Sequence, residues 1–160
     1  MIKQIEYTDI ERCAEVIRES FSTVAEEFGL NEQNCPTHTS FTKPENLIWD
    51  YNNGYLMFAY FLGEKIIGYV SLSHSDNDKK AYKLRNLAVL PQYRHAGYGR
   101  ELVDFCKEKV KSFGGEKIDI GIIEENTRLK DWYAAYGFVH TGTKKFEQFP
   151  FTVGFMELEI

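Results

Sequence analysis

Cysteine is sparse, and its spacing rules out two common uses. There are three, Cys13, Cys35 and Cys106. The count is odd and no two are close together, so neither a disulfide framework nor a zinc site is indicated. Cys13 and Cys106 fall on apolar helical stripes and are expected as buried thiols. Cys35 falls in a loop with no base beside it. Long hydrophobic runs are missing too. The longest, residues 55–62, spans eight residues, too short to cross a bilayer. Charged Lys3, Glu6 and Asp9 stand where a secretory leader needs an apolar run. A soluble cytoplasmic protein with no membrane partner is expected. Positive charge is also in deficit: 19 Lys and Arg face 24 Asp and Glu, a formal net charge of −5, which argues against nucleic acid as a partner.

What is present suits a globular chain. At 160 residues, 43% hydrophobic and 15% aromatic, the sequence can bury a core without staples and reads as one domain, residues 1–160. Its charges are unevenly spread. Six basic residues and no acidic ones lie between Lys79 and Arg100, leaving 13 basic and 24 acidic elsewhere, a net of −11. A basic segment in an acidic chain points to a small anionic ligand held at one place, or simply to a solvated stretch.

Periodicity and punctuation give the element order. Residues 2–7 alternate as a short strand. Thr8 with Glu11 reads as a capping box. Ile10, Cys13, Ile17, Phe21, Val24 and Phe28 then recur at helical spacing up to Gly29. Residues 31–41 read as loop. Thr42, Pro44 and Glu45 open a second helix that ends before Asn53-Gly54. Residues 55–62 and 65–73 form a hairpin around Gly63-Glu64, and residues 81–89 a further strand. Gly99, Leu102, Val103, Cys106, Val110 and Phe113 form one stripe of a helix ending near Gly114. A strand at 116–123, a helix from Asn126 to Gly137, and strands at 138–146 and 151–160 complete the chain. The order βααβββαβαββ predicts an α/β fold with a mixed sheet.

The turn after the fourth strand carries chemistry. Leu90-Pro91-Gln92-Tyr93 leads into Arg94-His95-Ala96-Gly97-Tyr98-Gly99 and then a helix. Glycines let backbone N–H groups converge and let phosphate approach. The helix start adds its partial positive charge, and Arg94 and Arg100 add charge-assisted donors. The arrangement suits a pyrophosphate; a plain turn and helix start is the alternative. No Gly-Lys-Ser/Thr ending is present, so it is not a P-loop. It also follows three consecutive strands rather than the first strand of a βαβ unit, which argues against a dinucleotide fingerprint.

About thirty residues on stands Asn126-x-x-Leu129-x-x-Trp132-Tyr133-x-x-Tyr136-Gly137-Phe138. Asn126 is a good helix N-cap. Tyr133 lies two turns along nearly the same face, in a stripe with Leu129, Trp132 and Tyr136 that also reads as core. The two motifs, in this order and spacing, resemble the GNAT superfamily of acetyl-CoA-dependent N-acetyltransferases, and the element order matches from end to end. The resemblance implies a mixed, mostly antiparallel sheet of about seven strands flanked by about four helices. It implies acetyl-CoA as co-substrate, with no metal. Leu87, Ala88 and Val89 would pair their backbone with the pantetheine arm. Arg94, His95, Ala96, Gly97, Tyr98, Gly99 and Arg100 would hold the pyrophosphate. Asn126 would bond near the thioester, and Tyr133 would donate a proton to the departing thiolate. Dimers through the last strands are common among similar proteins, which leaves a homodimer open here.

The expected reaction is direct transfer of acetyl to a primary amine of a small cationic molecule in a ternary complex. Such an amine arrives protonated, with a pKa near ~10.4, and must lose a proton. Many family members use a glutamate on the fourth strand, but residues 81–86 hold no carboxylate. Glu124, Glu125 and His74 are substitutes by position, and a water chain is the default. Phe28, His38, Phe41, Trp49, Phe149 and Phe151 are candidates to line the acceptor site, with Glu26 and Glu27 favouring a cation. Three other readings stay open: a non-catalytic acyl-CoA-binding or sensor domain, a protein N-terminal or lysine acetyltransferase, and a binding module for another phosphate ligand.

Overall fold

A computed structural model describes residues 1–160. Its strands are β1 (Ile2–Gln4), β2 (Leu56–Leu62), β3 (Lys65–His74), β4 (Ala81–Val89), β5 (Lys117–Ile123), β6 (Val139–Lys145) and β7 (Thr152–Glu159). Its helices are α1 (Ile10–Phe28), α2 (Pro44–Asn52), α3 (Tyr98–Ser112) and α4 (Thr127–Tyr136), with 3-10 turns at Tyr7–Asp9, Thr39–Phe41 and Pro91–Tyr93. The seven strands form a mixed sheet in the order β1-β2-β3-β4-β5-β7-β6. The predicted element order is therefore observed. The chain divides into two compact units, the first made of Met1–Ser73 and Arg85–Phe105, the second of His74–Leu84 and Cys106–Ile160.

In the first unit, β1 and β3 both pair antiparallel with β2. The apolar stripe of α1 buries Ile10, Cys13 and Ile17 with Leu47 of α2 and Met57, Ile67 and Tyr69 of the strands. Each such aliphatic side chain contributes about 1.5–3 kcal/mol through burial. Further along α1 the stripe weakens: Phe21, Val24 and Phe28 are only half-buried. Gly68 is there for space. A Cβ on it would meet the Ala88 carbonyl oxygen at 3.0 Å and Leu102 Cδ1 at 3.1 Å, so its absence lets β3 lie against the end of β4 and the start of α3. The Leu90 N–H donates to the Ile67 carbonyl at 2.9 Å and ties down the same end.

In the second unit, β4 and β5 run parallel, with register from Ala81↔Lys117 to Lys83↔Asp119 and no further. β7 pairs antiparallel with β5 over seven residue pairs and with β6 on its other side. Val110, Ile118 and Met156 are among its most buried side chains.

Three local expectations are corrected. The chain enters α1 through a 3-10 turn capped by Asp9, whose Oδ2 accepts from the Glu6 N–H at 2.9 Å; Thr8 lies inside that turn and caps nothing. The segment read as loop at 31–41 closes with a 3-10 turn in which His38 caps Ser40. Phe113, placed on the buried stripe of α3, is 52% exposed, because the helix ends one residue earlier and the backbone turns away.

Candidate functional site

The glycine-rich turn lies wholly in the first unit. It begins in β4, where Asn86 takes a φ of +53°. This is a left-handed residue inside a strand, of the kind that re-aims a strand end. Leu87 and Val89 are half-buried there and Ala88 is buried. After the 3-10 turn at Pro91–Tyr93, Arg94 is extended, His95 has φ +65° and Gly97 has φ +90°. A Cβ at Gly97 would meet nothing within 4 Å, so this position demands glycine for its backbone, not for room. His95 has no such freedom and sits left-handed at a cost of about 1–2 kcal/mol. The two residues turn the chain sharply into α3.

That geometry leaves donors at the helix start. The Glu101 N–H donates to the Gly97 carbonyl at 3.0 Å, so the N–H groups of Tyr98 and Gly99 precede the helical ladder. His95, Ala96, Gly97 and Arg100 are exposed around them. The side chains beside this point are braced. Tyr60 donates to Glu101 Oε2 at 2.9 Å, and the Tyr98 ring packs edge-on against those of Tyr60 and Tyr93. The Arg94 guanidinium, read from sequence as a phosphate ligand, reaches α1: it donates to the Ser20 carbonyl at 2.5 Å and to Thr23 Oγ1 at 3.0 Å. It fastens the turn to the first helix.

Asn126 and Tyr133 belong to the second unit. Asn126 is the N-cap of α4, its Oδ1 accepting from the Leu129 N–H at 3.2 Å. Tyr133 is 5% exposed, edge-on to Trp132 and Phe138. Burial pushes its phenol well above the usual tyrosine range, and charge on the neighbouring Cys106 would push the same way. It therefore stays protonated and is not a base, and burial makes it a weaker acid than a free phenol.

The substitutes for a general base are engaged elsewhere. Glu124 is clasped by Lys130 at 2.5 Å and His140 at 2.9 Å, and those bonds hold its carboxyl below the usual glutamate range. Glu125 accepts from the Thr152 N–H through both oxygens. His74 packs on the Tyr82 ring at 4.4 Å. No group of three or more His, Cys, Asp and Glu side chains is arranged to hold a metal ion.

The aromatics proposed for the acceptor divide between the units. In the first, His38 lies between Phe21 and Phe41, its pKa lowered by burial and its Nδ1 2.7 Å from Ser40 Oγ. Phe28 is half-buried, while Trp49 is 56% exposed against Tyr55. Glu26 and Glu27 are exposed. In the second unit, Phe149 and Phe151 stack at 5.2 Å. A different group went unmarked in the sequence: Asp50, Tyr69, Ser71 and Arg85, all of the first unit. Tyr69 and Ser71 are fully buried and Asp50 is 8% exposed. The Tyr69 hydroxyl, Ser71 Oγ and Arg85 Nε are buried without a hydrogen-bond partner. A polar residue at an inward strand or helix position was the available signal.

Comparison with known proteins gives this arrangement a context. A family model described as acetyltransferase (GNAT) family matches residues 20–138. An uncharacterized N-acetyltransferase in the pepI 3′ region of Lactobacillus delbrueckii subsp. lactis is 25% identical over 165 residues, covering 96% of this chain and 89% of the relative. Among solved structures, the PaiA N-acetyltransferase of Thermoplasma acidophilum in complex with coenzyme A superposes with a TM-score of 0.82 at 20% identity, over 100% of this chain and 98% of that one. The ribosomal-protein-S18-alanine N-acetyltransferase of Escherichia coli superposes at 0.75 and 17% identity, over 100% and 93%. At these identities the superpositions speak for the fold. No helix is long and apolar enough to cross a membrane.

Proposed function

The chain belongs to the acetyltransferase (GNAT) family, and from that premise we propose that it moves the acetyl group of acetyl-CoA to a primary amine of a small molecule that arrives as a cation, in the cytoplasm and by direct attack in a ternary complex. The observation that carries the reading is the turn at His95 and Gly97. It delivers the N-terminus of α3, with the N–H groups of Tyr98 and Gly99 ahead of the helical ladder, to an exposed turn. A helix start of this kind favours a pyrophosphate through aligned donors and about half a unit of positive charge.

In this reading the N–H groups of residues 95–100 and the Arg100 side chain take the pyrophosphate. Arg94 serves from behind, as the brace to α1. The backbone at Leu87, Ala88 and Val89 pairs with the pantetheine arm, and Asn126 bonds near the thioester. Acetyl-CoA supplies the activated acyl carbon. The amine nitrogen, having lost a proton, attacks that carbon. A backbone N–H near Val89 stabilises the oxyanion. The carbon–sulfur bond then breaks, Tyr133 gives its phenolic proton to the sulfur, and the second proton shed by the nitrogen as the amide forms passes through solvent to restore the phenol. Glu124 and Glu125 are held by Lys130, His140 and Thr152, so solvent takes the proton of the amine.

The test is thiol release from acetyl-CoA across a panel of polyamines, amino acids, aminoglycosides and dipeptides. Saturable release with at least one acceptor supports the reading. Tight acetyl-CoA binding by calorimetry with no turnover on any amine, protein lysines included, would instead make this a sensor domain. A protein N-terminus is the second reading for the acceptor, since one structural neighbour acts on a ribosomal-protein alanine. Acetylation of an alanine-initiated peptide but of no small amine would establish it.

A further inference from the structure

Asp50 of α2, Tyr69 and Ser71 of β3 and Arg85 of β4 sit together in the first unit and leave one another unsatisfied. Tyr69 and Ser71 are wholly buried; their hydroxyls lie close enough to influence each other, and neither has a well-formed hydrogen bond. Asp50 is 8% exposed, and its carboxylate makes no hydrogen bond or ion pair within the protein. The Arg85 guanidinium lies over the Tyr55 ring at 5.0 Å with its Nε buried and unpartnered. Buried polar groups in folded proteins are nearly always paired, and each exception asks for an explanation. An orphaned buried hydroxyl or guanidinium costs free energy that the fold must offset elsewhere. Three of them, drawn from two neighbouring strands and set beside the Asp50 carboxylate of α2, call for a partner that the protein itself does not supply.

The kinds of group are informative. One is anionic, one is cationic, and two are hydroxyls able to donate or accept. The two charges influence each other but form no ion pair. A ligand carrying a single positive charge would satisfy Asp50 and be repelled by Arg85. A ligand with several positive charges would be repelled more strongly. A ligand bearing an amine beside a carboxylate satisfies both, and the planar fork of Arg85 suits a carboxylate well. We propose that this cluster seats the acceptor amine, and that the acceptor, in place of a simple cation, is a small zwitterion of the amino-acid class, its carboxylate on Arg85 and its ammonium group facing Asp50 beside the Tyr69 and Ser71 hydroxyls. The proposal rests on the acetyl-transfer reading for its role, though not for the binding itself.

The experiment compares the common L-amino acids, one at a time, with the matching primary amines that lack the carboxylate. Thiol release from acetyl-CoA and the rise in melting temperature are both recorded. The expected result is saturable turnover with one or more amino acids and kcat/KM roughly 100-fold lower for the matched amine, the scale of losing a charge-assisted bond. Arg85→Gln should erase that preference, raising KM for the amino acid with little change in kcat. Tyr69→Phe supplies a readout that a merely structural tyrosine would not give. It removes an unpartnered hydroxyl, so the melting temperature should rise by about 3 °C while KM for the amino acid increases. Turnover of the bare amines equal to that of the amino acids, or turnover confined to amines without a carboxylate, would overturn the proposal. If no acceptor releases thiol, the transfer reading fails on its own. The seat is then judged by melting temperature: a rise with an L-amino acid in the wild type but not in Arg85→Gln upholds it, and no rise with any of them overturns it.

Discussion

Tyr133 is held protonated by its burial, edge-on to Trp132 and Phe138. If its phenol protonates the leaving sulfur, Tyr133→Phe should lower kcat by roughly 100-fold, the usual weight of a positioned acid, and leave the Kd for CoA unchanged by calorimetry. Undiminished turnover would return Tyr133 to the core, where its apolar stripe also places it. Gly97 makes a complementary case. Its φ of +90° faces open space, so Gly97→Ala adds no clash but forces a backbone strained by about 1–2 kcal/mol. The Kd for CoA should rise roughly tenfold with the fold intact by circular dichroism. A variant that bound CoA as tightly as the wild type would show that the turn does not need its observed shape. The glycine was legible in the sequence; the left-handed His95 beside it was not, because no side-chain pattern announces a non-glycine at positive φ.

At the scale of elements, the Arg94 brace and the Glu124 clasp decide how much of the site is scaffold. Arg94→Met removes the donors to the Ser20 carbonyl and Thr23 Oγ1, charge-assisted bonds worth about 1.5–3 kcal/mol where well formed and less where solvent reaches them. A drop in thermal stability together with weaker CoA binding is expected; weaker binding alone would assign the guanidinium to the phosphate after all. For Glu124, the bonds from Lys130 and His140 lower the carboxyl pKa from its ordinary 4.5. A group whose folded pKa is depressed adds stability above its unfolded pKa and loses it as pH falls through the folded value. Glu124→Gln should therefore be less stable than the wild type above about pH 4.5, and the gap should close in stronger acid, as followed by thermal melts. Most element boundaries could be read because local chemistry sets them: glycines past α1 and α4, Pro44 in the first turn of α2, Asn126 at the N-cap of α4. The entry to α1 was misread because two carboxylates, not the threonine between them, organise it. The engagement of Arg94 could not be read at all, since its partners lie 71 and 74 residues away and nothing local selects them.

For the whole molecule, family membership and element order were visible because both motifs and their spacing lie along the chain. The polar cluster of the first unit was not. Asp50 looked like the end of a helix, Tyr69 and Ser71 like ordinary strand residues, and Arg85 like one more member of a basic run. Only folding brings them together, with the Tyr69 and Ser71 hydroxyls and Arg85 Nε lacking partners. The most direct test of direct acetyl transfer is to incubate the protein with acetyl-CoA labelled in its acetyl group, with and without an amine acceptor from the panel, and to follow thiol release and N-acetyl product together. The account predicts one thiol for each N-acetylated amine, no thiol without acceptor, and no label left on the protein. Label fixed to the protein before any amine is added, or thiol released without amide product, would contradict it.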